Sequence, residues 1–200
     1  MPRIISGKFK GLRLITPTGR QTRPTADQVK EAIFSMLISL PFDLSGARVL
    51  DFFAGSGSLG LEALSRGAAS LVLSDSDRAA AQAIKRNLAA LGDSKAETVF
   101  QLCRWPQGFQ GLPAERPFNL FLLDPPYEER KLPLNLLKEA AVRGLAAPGA
   151  VAVWEQAPAA LAEWSPETAL PWELLKTRSW GARAVAFLAL PPFGSLDDEY

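Results

Sequence analysis

The sequence alternates between short apolar runs, glycine-containing turns and longer amphipathic stretches from residue 47 to residue 154, and this alternation limits the folds that the chain can adopt. Short apolar runs predict strands, and the longer stretches between them predict helices. Strands that alternate with helices form a mostly parallel sheet covered by helices on both faces. The predicted strands are residues 48–51, 70–74, 97–102, 118–123 and 150–154, and the predicted helices are residues 58–66, 77–91 and 133–145.

The two ends of the chain depart from this alternation. Residues 3–16 show the short alternation of a small β-hairpin, and the next helix is predicted to begin near Ala26. Residues 172–177 and 183–190 predict an antiparallel hairpin at the edge of the sheet. We therefore expect a basic β-hairpin arm over residues 1–24, one α/β domain over residues 25–194 and a polar tail over residues 195–200.

The composition excludes several classes of protein. A single cysteine, Cys103, excludes an internal disulfide framework and fits a reducing compartment. Because the chain has no histidine, it cannot use histidine-based acid–base catalysis, and a lone thiol cannot assemble a zinc site. We find neither a signal peptide nor a run of eighteen apolar residues. The expectation is a cytoplasmic, monomeric protein that uses no metal and contacts no membrane.

The net charge of +1 hides an asymmetry along the chain. Residues 1–30 hold seven bases and one acid, whereas the remainder holds fifteen bases and twenty acids. A basic segment on a mildly acidic body predicts a surface that docks a polyanion, and a merely solvated segment is the alternative. The candidate polyanion-binding residues are Arg3, Lys8, Lys10, Arg13, Arg20, Arg23 and Lys30.

Residues 51–60, hereafter the glycine loop, lead from the end of a predicted strand into a predicted helix. Glycines let a backbone approach a ligand closely, and the amino end of a helix favours negative charge. Gly55, Gly57 and Gly60 satisfy the dinucleotide pattern G-x-G-x-x-G, and Asp75 follows Gly55 by twenty residues, where it could bind a ribose hydroxyl. A nicotinamide-dependent dehydrogenase is therefore one interpretation of the loop.

Asp51 favours a different cofactor. At the end of the first strand its carboxylate would lie near a dinucleotide pyrophosphate, and it is better suited to a cationic ligand such as the ammonium group of a methionine moiety. A chain of 200 residues also leaves little room for a separate substrate domain. We therefore predict S-adenosylmethionine as the cofactor rather than a dinucleotide.

The residues Asp124-Pro125-Pro126-Tyr127 directly follow a six-residue apolar run. The prolines have fixed φ angles and no N–H groups, so they present carbonyl acceptors without competing donors, and Tyr127 offers a face on which a flat ring can stack. An exocyclic nucleobase amine needs two acceptors that hold its hydrogens and turn its nitrogen toward an electrophile. The motif therefore predicts a nucleobase site, and a proline-stiffened turn is the alternative.

The order of four motifs resembles the RsmD family, bacterial methyltransferases that modify a guanine N2 in 16S ribosomal RNA. These motifs are Arg3-Ile4-Ile5-Ser6-Gly7-Lys8, Arg23-Pro24-Thr25, the glycine loop and Asp124–Tyr127. The resemblance covers most of residues 2–190. It implies a Rossmann-like class I methyltransferase domain with a seven-stranded sheet, preceded by a β-hairpin. It also implies the small ribosomal subunit or its RNA as partner, and a reaction of the guanine(966)-N2 type.

Carried over by motif, the resemblance assigns two sets of site residues. Asp51, Ala54, Gly55, Ser56 and Gly57 would line S-adenosylmethionine, with Asp75 on its ribose hydroxyls, and Asp124, Pro125 and Tyr127 would hold the guanine.

One stretch departs from the family pattern. Similar enzymes often carry an acid after the third strand, available to the adenine amino group, but residues 101–105 contain none. Only weak contacts are expected there, from Cys103 and Arg104. Two further interpretations stay open: a DNA adenine-N6 methyltransferase, which the same four-residue motif would serve, and a non-catalytic RNA-binding module.

Overall fold

A computed structural model describes residues 1–18, 27–92, 96–112, 115–126, 132–162 and 170–191. The chain divides into two compact units, Met1–Gly111 and Leu112–Tyr200. The predicted boundary between residues 24 and 25 and the predicted tail lie outside the described residues. Over the described ranges, no helix combines the length and the apolar character needed to cross a bilayer.

The first unit alternates helices with parallel strands, in the strand order β3-β2-β1. Arg48 of β1 lies opposite Ser70 of β2, so the carboxyl ends of these strands lie side by side. The aspartate before α3, Asp77, caps that helix because its side chain accepts the N–H of Ala79 at 2.9 Å. The elements are α1 (Asp27–Ile38), β1 (Arg48–Asp51), α2 (Ser58–Ser65), β2 (Ser70–Asp75), α3 (Arg78–Ala89), β3 (Glu97–Leu102) and a 3-10 turn (Gln107–Gly111).

The second unit has the strand order β4-β5-β7-β6. β4 and β5 are parallel, with Leu123 opposite Trp154, whereas β7 is antiparallel to both β5 and β6. Trp172 anchors the packing, because its ring is buried against Phe121 and its indole N–H donates to the Leu137 carbonyl at 2.9 Å. The elements are β4 (Phe118–Leu123), α4 (Leu132–Val142), β5 (Ala146–Gln156), α5 (Pro158–Ala162), β6 (Glu173–Trp180) and β7 (Arg183–Ala189).

The predicted fold class is confirmed: over the described residues seven strands alternate with helices, the strands of the first unit are parallel, β4 and β5 are parallel, and β6 and β7 form the predicted antiparallel hairpin. The largest differences from the predicted bounds lie in the fourth helix, in β5 and in β6, which ends at Trp180 instead of residue 177. The fourth helix ends at Val142, earlier than predicted, because Gly144 adopts a left-handed φ of 68°. Strand β5 is longer than predicted at both ends. It begins at Ala146, and at its carboxyl end Glu155 and Gln156 continue it although they are polar.

The amino-terminal segment, residues 1–16, forms a reduced version of the predicted hairpin. Within the described residues it has one antiparallel bridge, between Arg3 and Arg13, instead of two regular strands. The reason is that the segment bonds to α2 as well as to itself. The backbone N–H of Lys8 donates to the Ser65 carbonyl at 2.8 Å, and that of Phe9 donates to the Ser65 hydroxyl at 2.9 Å.

Gly7 should be indispensable for this docking. Its φ is 80°, and a Cβ at this position would lie 1.8 Å from the carbonyl oxygen of Ser65. We expect Gly7→Ala to lower the free energy of unfolding by roughly 2–4 kcal/mol, because it adds a backbone clash to the strain of a left-handed residue. Urea denaturation measures this. Gly11→Ala is the matched control, since Gly11 has a φ of 90° but open space around it. Equal losses in the two variants would contradict the clash.

Candidate cofactor and substrate site

The glycine loop turns back over the carboxyl ends of β1 and β2. The N–H of Ala54 donates to the Ser74 carbonyl at 2.9 Å, which fixes the loop to the end of β2. The N–H of Gly57 donates to the Ala54 carbonyl at 2.6 Å, and Gly57, with a φ of 80°, is the residue immediately before α2. The loop is therefore a tight turn that leads directly into a helix amino terminus.

Gly60 and Gly55 have different physical roles from Gly57, which forms the turn before α2. Gly60 is a packing residue, because a Cβ there would lie 2.8 Å from the side chains of Leu71 and Leu73. Gly55 has a φ of 55°, and a Cβ there would meet nothing within 4 Å. The backbone at Gly55 therefore borders open space that a ligand can occupy. The sequence pattern alone does not distinguish these roles.

Asp75 joins the end of β2 to the glycine loop. One carboxylate oxygen accepts the N–H of Gly55 at 2.8 Å, and the other accepts the N–H of Asp77 at 2.9 Å. The N–H of Cys103 donates to the Asp75 carbonyl at 3.0 Å, which places the residues after β3 beside it. The structure thus brings the six predicted cofactor residues to one edge of the first unit. They are Asp51, Ala54, Gly55, Ser56, Gly57 and Asp75.

Asp51 is a buried carboxylate with an unusual charge environment. It is 2% exposed, and it accepts the N–H of Gly60 at 3.2 Å. Burial raises the pKa of Asp51 to about 7; the Gly60 hydrogen bond lowers it, and the negative charge of Asp75 raises it. Within the described ranges Asp51 has no ion pair. A cation in this place would offset the cost of its burial, so the site suits a positively charged ligand group.

An aromatic cluster supports the glycine loop from the protein interior. The indole N–H of Trp105 lies 2.9 Å from the Phe52 carbonyl and 2.7 Å from the Ser74 hydroxyl. The Trp105 ring packs edge-on against Phe52 and Phe109, with centroids 4.6 and 4.7 Å away. Sequence reasoning missed Trp105, although the sequence shows an aromatic residue three positions after the end of β3. Its partner Phe52 lies within the loop, so this packing fixes the loop's conformation.

The two residues expected to make weak adenine contacts differ in environment. Cys103 is half-buried, and burial raises the pKa of its thiol, whereas a hydrogen bond with Ser74 lowers it. Arg104 is exposed. Both follow β3 and thus lie next to the strand end that carries Asp75, but their contact with an adenine stays a prediction.

In the second unit, Asp124 and Pro125 follow the last residue of β4. Asp124 is half-buried, Pro125 is buried and Pro126 is exposed. Since Leu123 lies opposite Trp154, the motif begins at the carboxyl ends of two parallel strands, which is where α/β proteins bind ligands. Tyr127 lies outside the described residues, so its stacking role stays a prediction.

The end of β5 adds polar residues that sequence reasoning missed. Glu155 is 2% exposed and accepts a hydrogen bond from Arg183 at 2.7 Å. Burial raises the pKa of Glu155, and the Arg183 charge opposes this shift. Glu155 Oε2 and Gln156 Nε2 are buried and have no hydrogen-bond partner among the residues that the structure describes. The only sign in the sequence was a pair of polar residues at the end of an apolar strand.

The exposed basic residues of the amino-terminal segment lie on its solvent side. Lys8, Lys10 and Arg13 are exposed, and so is Arg3, although its side chain also donates to Asp27 at 2.8 Å. Arg20 and Arg23 lie outside the described residues. Exposure lets these side chains reach a polyanion, but their contacts with one stay a prediction.

The prediction for Lys30 is wrong. We predicted it as an RNA-binding residue, but its side chain is 0% exposed. Its ammonium group donates to the Arg3 carbonyl and to the Ser58 hydroxyl and lies 3.7 Å from the Glu62 carboxylate. Lys30 lies on the buried face of α1 and is a structural cation. The prediction counted charge along the sequence and ignored the helical face.

Comparisons with known proteins agree with this geometry. A family profile described as Conserved hypothetical protein 95 matches residues 2–189. The chain is 40% identical over 139 residues to the Escherichia coli K12 protein named Ribosomal RNA small subunit methyltransferase D, covering 68% of this chain and 67% of that one. It is 45% identical over 130 residues to the Bacillus subtilis strain 168 protein YlbH, covering 65% of this chain and 69% of that one. The solved structure of Escherichia coli yhhF matches with a TM-score of 0.76 at 33% identity, over 95% of this chain and 98% of that one.

Proposed function

Because this chain belongs to the RsmD family of class I methyltransferases, we propose that it transfers a methyl group from S-adenosylmethionine to the exocyclic N2 of a guanine in 16S ribosomal RNA. The observation that carries the proposal is the position of Asp124 and Pro125, which follow a buried strand at its carboxyl end. The name of the Escherichia coli relative supports small-subunit RNA as the substrate.

The first unit has residues that fit the cofactor. The buried carboxylate of Asp51 suits the ammonium group of the methionine moiety, and Asp75 offers acceptor oxygens to the ribose hydroxyls. The open space at Gly55 lets the ligand approach the backbone there. When bound, S-adenosylmethionine supplies a methyl group that the positive charge of its sulfur makes electrophilic. Ala54, Ser56 and Gly57 complete the lining.

The second unit holds the base. In this proposal the Asp124 carboxylate and the Pro125 carbonyl accept the two hydrogens of the guanine amine, which turns the nitrogen toward the methyl donor. Tyr127 stacks on the ring, so the base must be unpaired or flipped out of a helix. Asp124 orients the amine and does not deprotonate it beforehand, since the amine becomes acidic only as the new bond forms. Most of the rate acceleration then comes from positioning.

The amino-terminal segment supplies affinity through phosphates. We expect the triple variant Lys8→Ala, Lys10→Ala, Arg13→Ala to weaken RNA binding. The slope of log affinity against log salt concentration should fall in magnitude by about 2, because each lost phosphate contact lowers it by about 0.7–0.9. Fluorescence anisotropy over a salt series measures this slope. The control removes three exposed bases of α3, Arg78, Lys85 and Arg86. A slope that falls equally in both variants would show that only net charge matters.

A methyl-transfer assay tests the proposed function. The protein is incubated with labelled S-adenosylmethionine and, separately, with unmodified small subunits, their free RNA and duplex DNA. We expect label in the small-subunit RNA. Label only in DNA would favour the adenine-N6 interpretation, and RNA binding without label would favour a non-catalytic module. A melting temperature raised by a nicotinamide dinucleotide, but not by S-adenosylmethionine, would favour the dehydrogenase.

A further inference from the structure

Buried polar side chains of three helices hold the backbone of the amino-terminal segment. Glu62 of α2 accepts the N–H groups of Ile5 at 2.8 Å and Ser6 at 3.0 Å, and it is 0% exposed. Lys30 of α1 and Asn87 of α3 bond to other parts of the same segment. Buried side chains that bond in this way tie the backbone of the segment to the helices.

Asn87 joins this segment to the glycine loop. Its side-chain oxygen accepts the N–H of Ile15 at 2.8 Å, and its amide nitrogen donates to the Ile15 carbonyl at 2.9 Å. The same nitrogen donates to the carbonyl of Ser56, in the glycine loop, at 2.8 Å. Asn87 is 1% exposed, so its amide group is shielded from solvent. Both amide hydrogens are used, one toward each element.

Lys30 makes a parallel connection on the other side of Gly57. Its ammonium group donates to the Arg3 carbonyl and, at 3.1 Å, to the hydroxyl of Ser58, the first residue of α2. The two residues that flank Gly57 are thus each tied to the amino-terminal segment by one buried side chain. A shift of the segment will therefore move the residues at the turn of the glycine loop.

We propose that Asn87 is a positioning residue through which RNA held on the amino-terminal segment raises the affinity of the glycine loop for the cofactor. The inference rests on the proposed function, since it needs both ligands. The exposed side of the segment carries Lys8, Lys10 and Arg13, and its buried side carries the backbone groups that Asn87 binds. RNA contacts that hold the segment against α2 and α3 also hold the Ser56 carbonyl, because the Asn87 side chain bonds to both elements. By thermodynamic linkage, cofactor then raises RNA affinity by the same factor.

The chemistry of the asparagine side chain makes the inference testable. Asn87→Asp keeps the size of the side chain but removes both donors and places a carboxylate against the carbonyls of Ile15 and Ser56. Asn87→Ala removes the connection without adding a charge. Asn135→Ala is the matched control, because Asn135 is an exposed asparagine on α4.

The experiment measures coupling by isothermal titration of S-adenosylhomocysteine in the absence and presence of saturating small-subunit RNA. In the wild type and in Asn135→Ala we expect RNA to raise the affinity about fivefold or more. In both Asn87 variants we expect this factor to fall to about 1, while RNA affinity without S-adenosylhomocysteine stays nearly unchanged because the exposed bases remain. Wild-type coupling in the Asn87 variants would overturn the inference, and so would two ligands that bind the wild type independently.

A second measurement uses the wild type alone and so does not depend on variants that fold. S-adenosylhomocysteine should slow amide hydrogen exchange at Ile5, Ser6 and Ile15, which lie in the amino-terminal segment, as well as in the glycine loop. Slowing confined to the glycine loop would overturn the inference and leave the proposed function intact. A wild type that binds neither S-adenosylhomocysteine nor RNA would instead overturn the proposed function, and the inference with it.

Discussion

Replacement of Asp124 by Ala should nearly abolish methyl transfer while leaving cofactor affinity nearly unchanged. The carboxylate is one of two acceptors proposed for the guanine amine, and without it the nitrogen is no longer held toward the methyl donor. Removing one such positioned group costs roughly 10²–10³-fold in turnover. Asp124→Asn should lie between the wild type and Asp124→Ala, because it keeps one acceptor oxygen and loses the charge. Single-turnover methylation of small-subunit RNA gives the rate, and titration of S-adenosylhomocysteine gives the affinity.

The control for this prediction is Asp43→Ala. Asp43 is an exposed aspartate whose carboxylate accepts the N–H of Ser45 at 2.8 Å. The control substitution therefore removes a carboxylate that lies outside the proposed site. Its turnover should match that of the wild type. Retained turnover in Asp124→Ala, or a loss of cofactor affinity equal to the loss of rate, would refute the role assigned to Asp124.

Asp51→Asn should make the protein more stable at pH 8 and a poorer cofactor binder. The pKa of Asp51 is raised from 3.8 to about 7 in the folded state. Between these values the folded state keeps a proton that the unfolded state has released, so stability falls as pH rises through this window and levels off above 7. Since Asn has no charge to bury, the variant escapes a loss of roughly 4 kcal/mol at pH 8. Thermal unfolding of the two proteins at pH 5 and pH 8 measures the difference.

As the pH rises, the affinity of the wild type for the cofactor should increase while its stability decreases. An ammonium group prefers the ionised carboxylate, so the affinity of the wild type for S-adenosylhomocysteine should rise up to about tenfold per pH unit below 7 and then level off. S-adenosylhomocysteine lacks the sulfonium charge and thus isolates the ammonium contact. The Asn variant should bind roughly 10–100-fold more weakly at pH 8 and show a flat profile. Equal affinity and equal pH dependence in both proteins would contradict the role of Asp51.

The parallel strands and the glycine loop were predictable because each depends on local sequence. The segments that form β1, β3 and β4 are bounded by turn residues, so their positions followed directly from the pattern. The end of β5 was less predictable: Glu155 and Gln156 lie in a buried strand because Arg183, 28 residues away, supplies a partner for the carboxylate. Such a partner is not visible in the local sequence.

The amino-terminal segment shows the limit of charge counting. Lys8 and Lys30 look alike in a count of bases, yet one is exposed and the other is fully buried. The difference depends on which face of α1 packs inward and on Glu62, which lies 32 residues further along the chain. Asn87 was invisible for the same reason, since its partners Ile15 and Ser56 are distant in sequence.

Mass spectrometry of the reaction product identifies the atom that receives the methyl group, which in our proposal is the N2 of a guanine in small-subunit RNA. Small subunits that lack the modification are incubated with the protein and S-adenosylmethionine, and their RNA is digested to nucleosides. We expect one new N2-methylguanosine per subunit from the wild type and almost none from Asp124→Ala. N6-methyladenosine, or no methylated nucleoside from a wild type that binds S-adenosylmethionine, would contradict it.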